Sequence, residues 1–154
     1  MALATIKSEM KNIKHIILLI AFVFLTKLLN AQNIFSDKIT FTIDWVEESG
    51  RINMGSWYIH PTKNYSYVFI YITLSNLSDS KQMIDFTKFS LLDNVKTIRY
   101  KPQFIMGAGT INVMKSDRMN LSKGKQKRRR LVFLFPEYQK ANSMLVNGVK
   151  VELE

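Results

Sequence analysis

The chain has 154 residues, with 22 Lys and Arg against 12 Asp and Glu, which gives a formal net charge of +10. It contains no cysteine, so cysteine catalysis, disulfide bonds, thiolate metal sites and a lipid-modified cysteine are all excluded. Hydrophobic residues make up 47% of the chain, which is enough for one core of ordinary size.

The N-terminal segment has the layout of a secretory signal peptide. Lys11 and Lys14 precede an apolar run over residues 16–25, and Ala31 supplies the small residue expected at a cleavage site. We therefore expect an N-terminal extension and signal helix over residues 1–31, cleavage after Ala31, and export to the periplasm or the extracellular space.

Two alternatives stay open for this segment. Its apolar run is shorter than the about 20 residues of a spanning helix and is interrupted by Thr26 and Lys27, yet a retained membrane anchor also suits the positive start. A buried core helix is the other alternative. The junction LLNAQ resembles the signal-peptide ends of Bacteroidetes-type bacteria. Cleavage leaves residues 32–154, a length that predicts a single domain with a net charge of +7.

The first elements after the signal alternate with a period of two, which is typical of strands. In KITFTIDWV the alternation places one set of side chains on the core face: Ile39, Phe41, Ile43 and Trp45. The opposite face carries Thr40, Thr42 and Asp44. Residues 47–64 predict a long loop or an irregular hairpin, because they contain two glycines and a proline.

The segment YSYVFIYITLSN, residues 65–76, is the strongest predicted strand. One of its faces is aliphatic, with Val68, Ile70, Ile72 and Leu74. The other face is aromatic, with Tyr65, Tyr67, Phe69 and Tyr71. Two apolar faces predict a central strand, and we expect its aromatic side chains to pack between two sheets.

The remaining segments predict short strands joined by turns. SNLSDSKQ is a polar turn, MIDFTKFSLLD is one strand or two meeting near Thr87, and a turn at Asp93 and Asn94 leads to a strand that Pro102 ends. KRRRLVFLFP is a strand that begins basic and finishes apolar, EYQKANSM predicts a short helical turn, and MLVNGVKVELE alternates again. Six to eight short strands predict an all-β, antiparallel β-sandwich, with a small barrel as the alternative.

Three stretches resemble one family of sandwiches. YVFIYITLSNLSD, FSLLDNVKTIRY and LSKGKQKRRRLVFLFPE are similar to the central strand, the hairpin and the late strand of small secreted telokin-like, immunoprotective-extracellular-type domains. Val95 stands where that family's hairpin has a glycine, and the late strand is more basic than usual. The resemblance implies an immunoglobulin-like fold, a binding or accessory role, and no shared catalytic residues.

The chemistry-bearing residues do not form a catalytic or metal-binding pattern. His60 is the one histidine after residue 31, and no G-x-S-x-G elbow accompanies it. Asp79, Asp85 and Asp93 lie in separate turns, without the clustering that calcium needs. We therefore expect no enzyme activity, no cofactor and no metal, and a small hydrolase or enzyme inhibitor is the least favoured alternative.

One surface carries a binding hypothesis. Six cations fall within eight residues: Lys123, Lys125, Lys127, Arg128, Arg129 and Arg130. In a strand, Arg128 and Arg130 share one face, while Lys127 and Arg129 share the other. Such a patch attracts the anionic groups of glycans or lipid headgroups. The alternative is that these charges sit on a strand edge and prevent aggregation of the adjacent LVFLF.

Together these patterns predict an exported, non-catalytic binding or accessory protein. Its partner is either an unknown protein or an anionic surface reached through residues 123–130. Nucleic acid is a less favoured ligand, because the aromatic side chains that could stack on bases are expected inside the sandwich. The oligomeric state stays open.

Overall fold

A computed structural model describes residues 33–93, 98–109, 112–114 and 116–153. The predicted signal helix, its cleavage site and the turn residue Asn94 lie outside the described residues. No helix within these ranges has the length and apolar composition needed to cross a bilayer.

The described residues form antiparallel β-sheets throughout, so the predicted all-β class is confirmed. The first six strands are β1 (Asn33–Ser36), β2 (Ile39–Ser49), β3 (Ile52–Asn53), β4 (Tyr58–Ile59), β5 (Tyr65–Asn76) and β6 (Gln82–Asp85). The next seven are β7 (Phe89–Leu92), β8 (Arg99–Tyr100), β9 (Pro102–Gly107), β10 (Arg118–Leu121), β11 (Gln126–Pro136), β12 (Ser143–Val146) and β13 (Val149–Glu152). A short 3-10 helix, Phe86–Lys88, separates β6 from β7.

One layer is a five-stranded sheet in the order β1-β2-β5-β11-β9. The facing layer contains the four-stranded sheet β13-β12-β7-β8 and the pair β10-β6, and β3 pairs with β4 in a separate small hairpin. As predicted, β5 is a central strand, because β2 and β11 pair with it on its two sides. Strand β11 is also internal, because β9 pairs with it from Arg129 to Phe133.

The five-stranded sheet is apolar on both faces. Its inner face joins the main core with these side chains of the two central strands: Val68, Ile70, Ile72, Leu74, Leu131, Phe133 and Phe135. Its outer face carries a second cluster that includes Tyr67, Phe69, Tyr71 and Val132. The β5 aromatics therefore pack between two sheets as expected, but the second sheet is the small β3–β4 hairpin, whose Ile52 and Ile59 cover them, and not the facing layer.

Several local predictions can be compared directly with the strands. MIDFTKFSLLD forms two strands that meet at the 3-10 helix, where the side chain of Asp85 accepts a hydrogen bond from the Thr87 amide. The short helical turn predicted after Pro136 is reduced to a single turn, in which the Gln139 amide donates to the Pro136 carbonyl at 3.1 Å. Pro102 begins β9, while β8 ends at Tyr100, so the strand stops close to the predicted position.

Candidate functional site

The basic segment begins in the turn before β11 and continues into the strand. Gly124 adopts a φ of 62°, the left-handed conformation that suits glycine in this turn. Arg129 and Arg130 lie where β11 is paired on both sides, by β5 and by β9. The alternative that the basic residues protect a strand edge from aggregation is therefore wrong for these two arginines.

The six cations separate into different environments. Lys123 pairs with Asp79 in the neighbouring turn at 2.8 Å, and both side chains are largely exposed. Arg128 and Arg130 lie on the outer face of the sheet, as the alternation predicts, where their partners are Thr73 and Tyr71. Burial lowers the pKa of Arg129 below its ordinary value. The segment is thus not one continuous patch, and its two outer-face arginines belong to a larger site.

A β-bulge in β2 builds the centre of that site. Ile43 pairs with Ile72 and Trp45 pairs with Tyr71, so Asp44 is an extra residue between consecutive pairs. The bulge turns Trp45 to the outer face, where its ring stacks on Tyr71 with centroids 4.0 Å apart. The prediction that Trp45 lies on the core face is therefore wrong, because regular alternation stops at Asp44 and Val46 packs against the main core.

Polar groups hold the bulge and the neighbouring arginines in place. The Asp44 carboxylate accepts a hydrogen bond from the Thr73 hydroxyl at 2.9 Å and forms an ion pair with Arg128 at 3.4 Å. Next to it, the Tyr71 hydroxyl donates to Glu47 at 3.4 Å and accepts from Arg130 at 3.4 Å. These contacts fix two guanidinium groups at the border of an aromatic surface.

We name this surface the outer-face platform and define it as Trp45, Glu47, Tyr71, Arg128 and Arg130. The indole of Trp45 is 47% exposed, although it covers Tyr71, which is buried. The guanidinium carbon of Arg130 lies 5.5 Å from the Phe69 ring centroid and 5.8 Å from that of Tyr71, within the range of cation–π attraction. An aromatic surface bordered by arginines and one carboxylate can stack on a flat ligand and hydrogen-bond its rim.

A groove of about 230 Å³ continues from the platform under the β3–β4 hairpin. Glu47, Tyr71 and Arg130 form its platform side. Arg51 and Tyr58 line it from the hairpin, and the Arg51 guanidinium lies 4.3 Å from the Tyr58 ring centroid. Two arginines from different elements, each placed on an aromatic ring, therefore line one groove.

The residues considered for catalysis and metal binding stay apart. His60 is exposed, and its backbone carbonyl accepts a hydrogen bond from the Tyr67 hydroxyl at 3.4 Å. Asp85 pairs with Arg118, and the side chain of Asp93 accepts from Gln139 at 2.9 Å. Across the ranges that the structure describes, no three histidine or acidic side chains come together as metal ligands.

Comparison with protein-family models gives no match, and neither does comparison with curated protein sequences. A conserved hypothetical protein from Bacillus anthracis is similar in structure, with a TM-score of 0.59, 13% identity, and coverage of 80% of this chain and 95% of that one. An uncharacterized β-sandwich protein from Clostridium difficile 630 has a TM-score of 0.54, 18% identity, and coverage of 78% and 87%. At these identities the likeness establishes a β-sandwich fold alone.

Proposed function

We propose that this chain is an exported, non-catalytic binding protein of the cell envelope or extracellular space, and that its ligand binds the outer-face platform. The observation that carries the proposal is the Asp44 bulge, which presents Trp45 to solvent, stacked on Tyr71. The neighbouring Arg128 contacts Asp44, and Arg130 contacts Tyr71. A half-exposed tryptophan fixed by stacking is a rigid contact surface of the kind that dominates binding energies.

The chemistry of the platform favours a glycan as the ligand. A sugar ring has an apolar face that can lie on an indole and a rim of hydroxyl groups that need hydrogen-bond partners. Glu47 can accept such hydrogen bonds, while Arg128 and Arg130 can donate them. The arginines also suit uronic acids, because a guanidinium can hold a carboxylate with two parallel hydrogen bonds.

The finer features of the fold belong to the same proposal. We assign the sandwich to the immunoglobulin-like, telokin-like type, and residues 32–154 to a single exported domain. The supporting observations are the three sequence stretches that resemble that family and the signal-like layout of residues 1–31. Intact mass of the protein from the producing cell tests the export: a chain that begins at Gln32 supports it, and one that keeps Met10 contradicts it.

The binding site is tested with Trp45→Ala. Trp57→Ala is the matched control, because Trp57 is 55% exposed and lies outside the platform. The chain has two tryptophans, so this variant also leaves Trp45 as the sole indole. The probes are cellohexaose and an oligogalacturonate hexamer, titrated while tryptophan emission or heat is recorded. We expect W57A to bind one probe with a change in Trp45 emission, and W45A to bind it about tenfold more weakly or worse.

A second candidate function has its own observation. Lys125 and Lys127 are exposed and have no ion pair with any described residue, whereas Lys123 is paired with Asp79. These two lysines favour the alternative of an anionic-surface binder. The variant K125Q/K127Q leaves the platform intact. If this variant loses oligogalacturonate binding while W45A binds normally, the basic segment and not the platform is the binding site. Failure of both probes in W57A would refute a glycan ligand.

A further inference from the structure

A second cleft lies away from the platform, where the chain crosses from one layer to the other. Arg99 and Tyr100 belong to β8 in the facing layer, and Pro102 begins β9 in the five-stranded sheet. The cleft at this crossing has a volume of about 450 Å³. Pockets that bind small molecules have volumes of roughly 300–1,000 Å³, so the cleft is large enough for a ligand of that class.

The polar lining of this cleft is rich in hydrogen-bond donors. It comprises Thr62, Tyr65, Arg99, Tyr100, Lys101 and Gln103. No described carboxylate lines the cleft or forms an ion pair with Arg99 or Lys101. Arg99 and Lys101 therefore line one open cleft without an ion pair to any described residue, in contrast to Arg128 and Lys123, which each have one. Asp117 lines a neighbouring pocket that Lys101 also borders.

Tyr100 is fixed at the base of this arrangement. Its ring packs edge-on against Phe135 with centroids 5.0 Å apart. Burial raises the pKa of Tyr100 above its ordinary value, and the charge of Asp93 together with Tyr65 and Tyr138 raises it further. The hydroxyl therefore keeps its proton at neutral pH and can donate a hydrogen bond. Asp93 itself is buried, accepts from Gln139 and does not line the cleft, although its charge acts on the Tyr100 hydroxyl.

We propose that this cleft binds a small molecule through a phosphate or sulfate group held by Arg99, Lys101 and the hydroxyl of Tyr100. A tetrahedral oxyanion offers three or more acceptor oxygens, which suits an arginine, a lysine and a tyrosine that line the same cleft. The remaining volume accommodates the organic part of the ligand, with Gln103 and Tyr65 as its polar contacts. The site is independent of the outer-face platform.

The test is an NMR titration of the isotope-labelled protein. The probes are glucose 6-phosphate, glucose 6-sulfate and neutral glucose, with inorganic phosphate as the smallest anion. We expect the charged sugars to shift the amide signals of Arg99, Tyr100, Lys101 and Gln103, and glucose to leave them unchanged. A response to one charged sugar and not to the other assigns the site to phosphate or to sulfate esters.

Two variants establish which side chains are responsible. R99Q/K101Q removes two charges from exposed positions and should weaken binding of the charged sugar about tenfold or more. Tyr100→Phe keeps the ring on Phe135 and should weaken binding several-fold, in line with the loss of one hydrogen bond. K38Q/K81Q removes the same net charge from exposed positions outside the cleft, the platform and the basic segment, and should bind like the unaltered protein.

Three results would overturn the proposal. One is the absence of shifts with every charged probe. Another is a response centred on residues 123–130 or on the platform. The third is equal binding by R99Q/K101Q and K38Q/K81Q, which would mean that net charge alone attracts the anion.

Discussion

The two faces of the five-stranded sheet are covered by different elements. The inner face is covered by the whole facing layer, so Phe133 and its neighbours are fully buried. The outer face is covered by one small hairpin, which hides Tyr67 and Phe69 but leaves Trp45 and the arginines at the surface. The same central strands therefore build a closed core on one side and a partly solvent-exposed surface on the other.

The largest effect is expected from matched phenylalanine substitutions on the two faces. Phe133→Ala should lower the free energy of unfolding by about 3–5 kcal/mol, because the closed core cannot fill the cavity. Phe69→Ala should cost about 2 kcal/mol, because Phe69 lines the groove and water can replace part of its ring. Urea unfolding followed by circular dichroism measures both. Equal costs would show that the outer face is as closed as the inner one.

An intermediate effect is expected from the polar contacts of the bulge. Asp44→Asn keeps the side chain's shape but removes the charge that faces Arg128 and Thr73, and should cost about 1 kcal/mol. Asp79→Asn is the matched control, because it removes a carboxylate from an ion pair that is exposed on both sides, and should cost close to nothing. The same urea titrations serve for both. A larger loss in D79N than in D44N would contradict this ranking.

The smallest effect is expected on unfolding at alkaline pH. It tests how well the β3–β4 hairpin excludes water from the outer face. Burial raises the pKa of Tyr67 above its ordinary value of 10.0. A raised tyrosine pKa contributes stability that is fully present below pH 10.0 and is lost as pH rises through the folded-state pKa. Tyr67→Phe should therefore move the alkaline unfolding midpoint upward, since the phenolate no longer has to form.

Tyr138→Phe controls for this measurement, because Tyr138 is 71% exposed. Absorbance of the tyrosinate ion during the pH titration follows ionisation, and circular dichroism follows unfolding. If Y67F and Y138F have the same midpoint, the hairpin admits water and the contrast between the two faces is weaker than described.

Much of the fold could be predicted from the sequence, because a strand with one buried face shows an alternation of apolar and polar residues that can be read locally. The two apolar faces of β5 predicted its central position, and the order of basic and apolar residues predicted β11 almost to its first residue. Which face met the facing layer was not predictable, since the hairpin that covers the aromatic face is itself made of short irregular segments. That choice depends on long-range packing that a strand's own residues do not encode.

The platform was missed for a related reason. A bulge adds one residue to one strand, so Asp44 reverses the predicted side of Trp45 without any turn residue to mark the position. The basic segment was found by its composition, and alternation placed Arg128 and Arg130 correctly on one face. Their partners Asp44, Thr73 and Tyr71 come from other strands, so the sequence could not indicate that the two arginines border an aromatic surface.

The pairing of β5 with β11 determines when this protein can fold. Tyr71 and Arg130 are 59 positions apart in sequence yet adjacent in the sheet. Closing so long a loop is entropically costly and slow, and one edge of β5 has no partner strand until β11 is available. A chain synthesised from its N-terminus therefore cannot complete the five-stranded sheet, and keeps an unpaired edge on the apolar strand β5, until residues up to Pro136 are available.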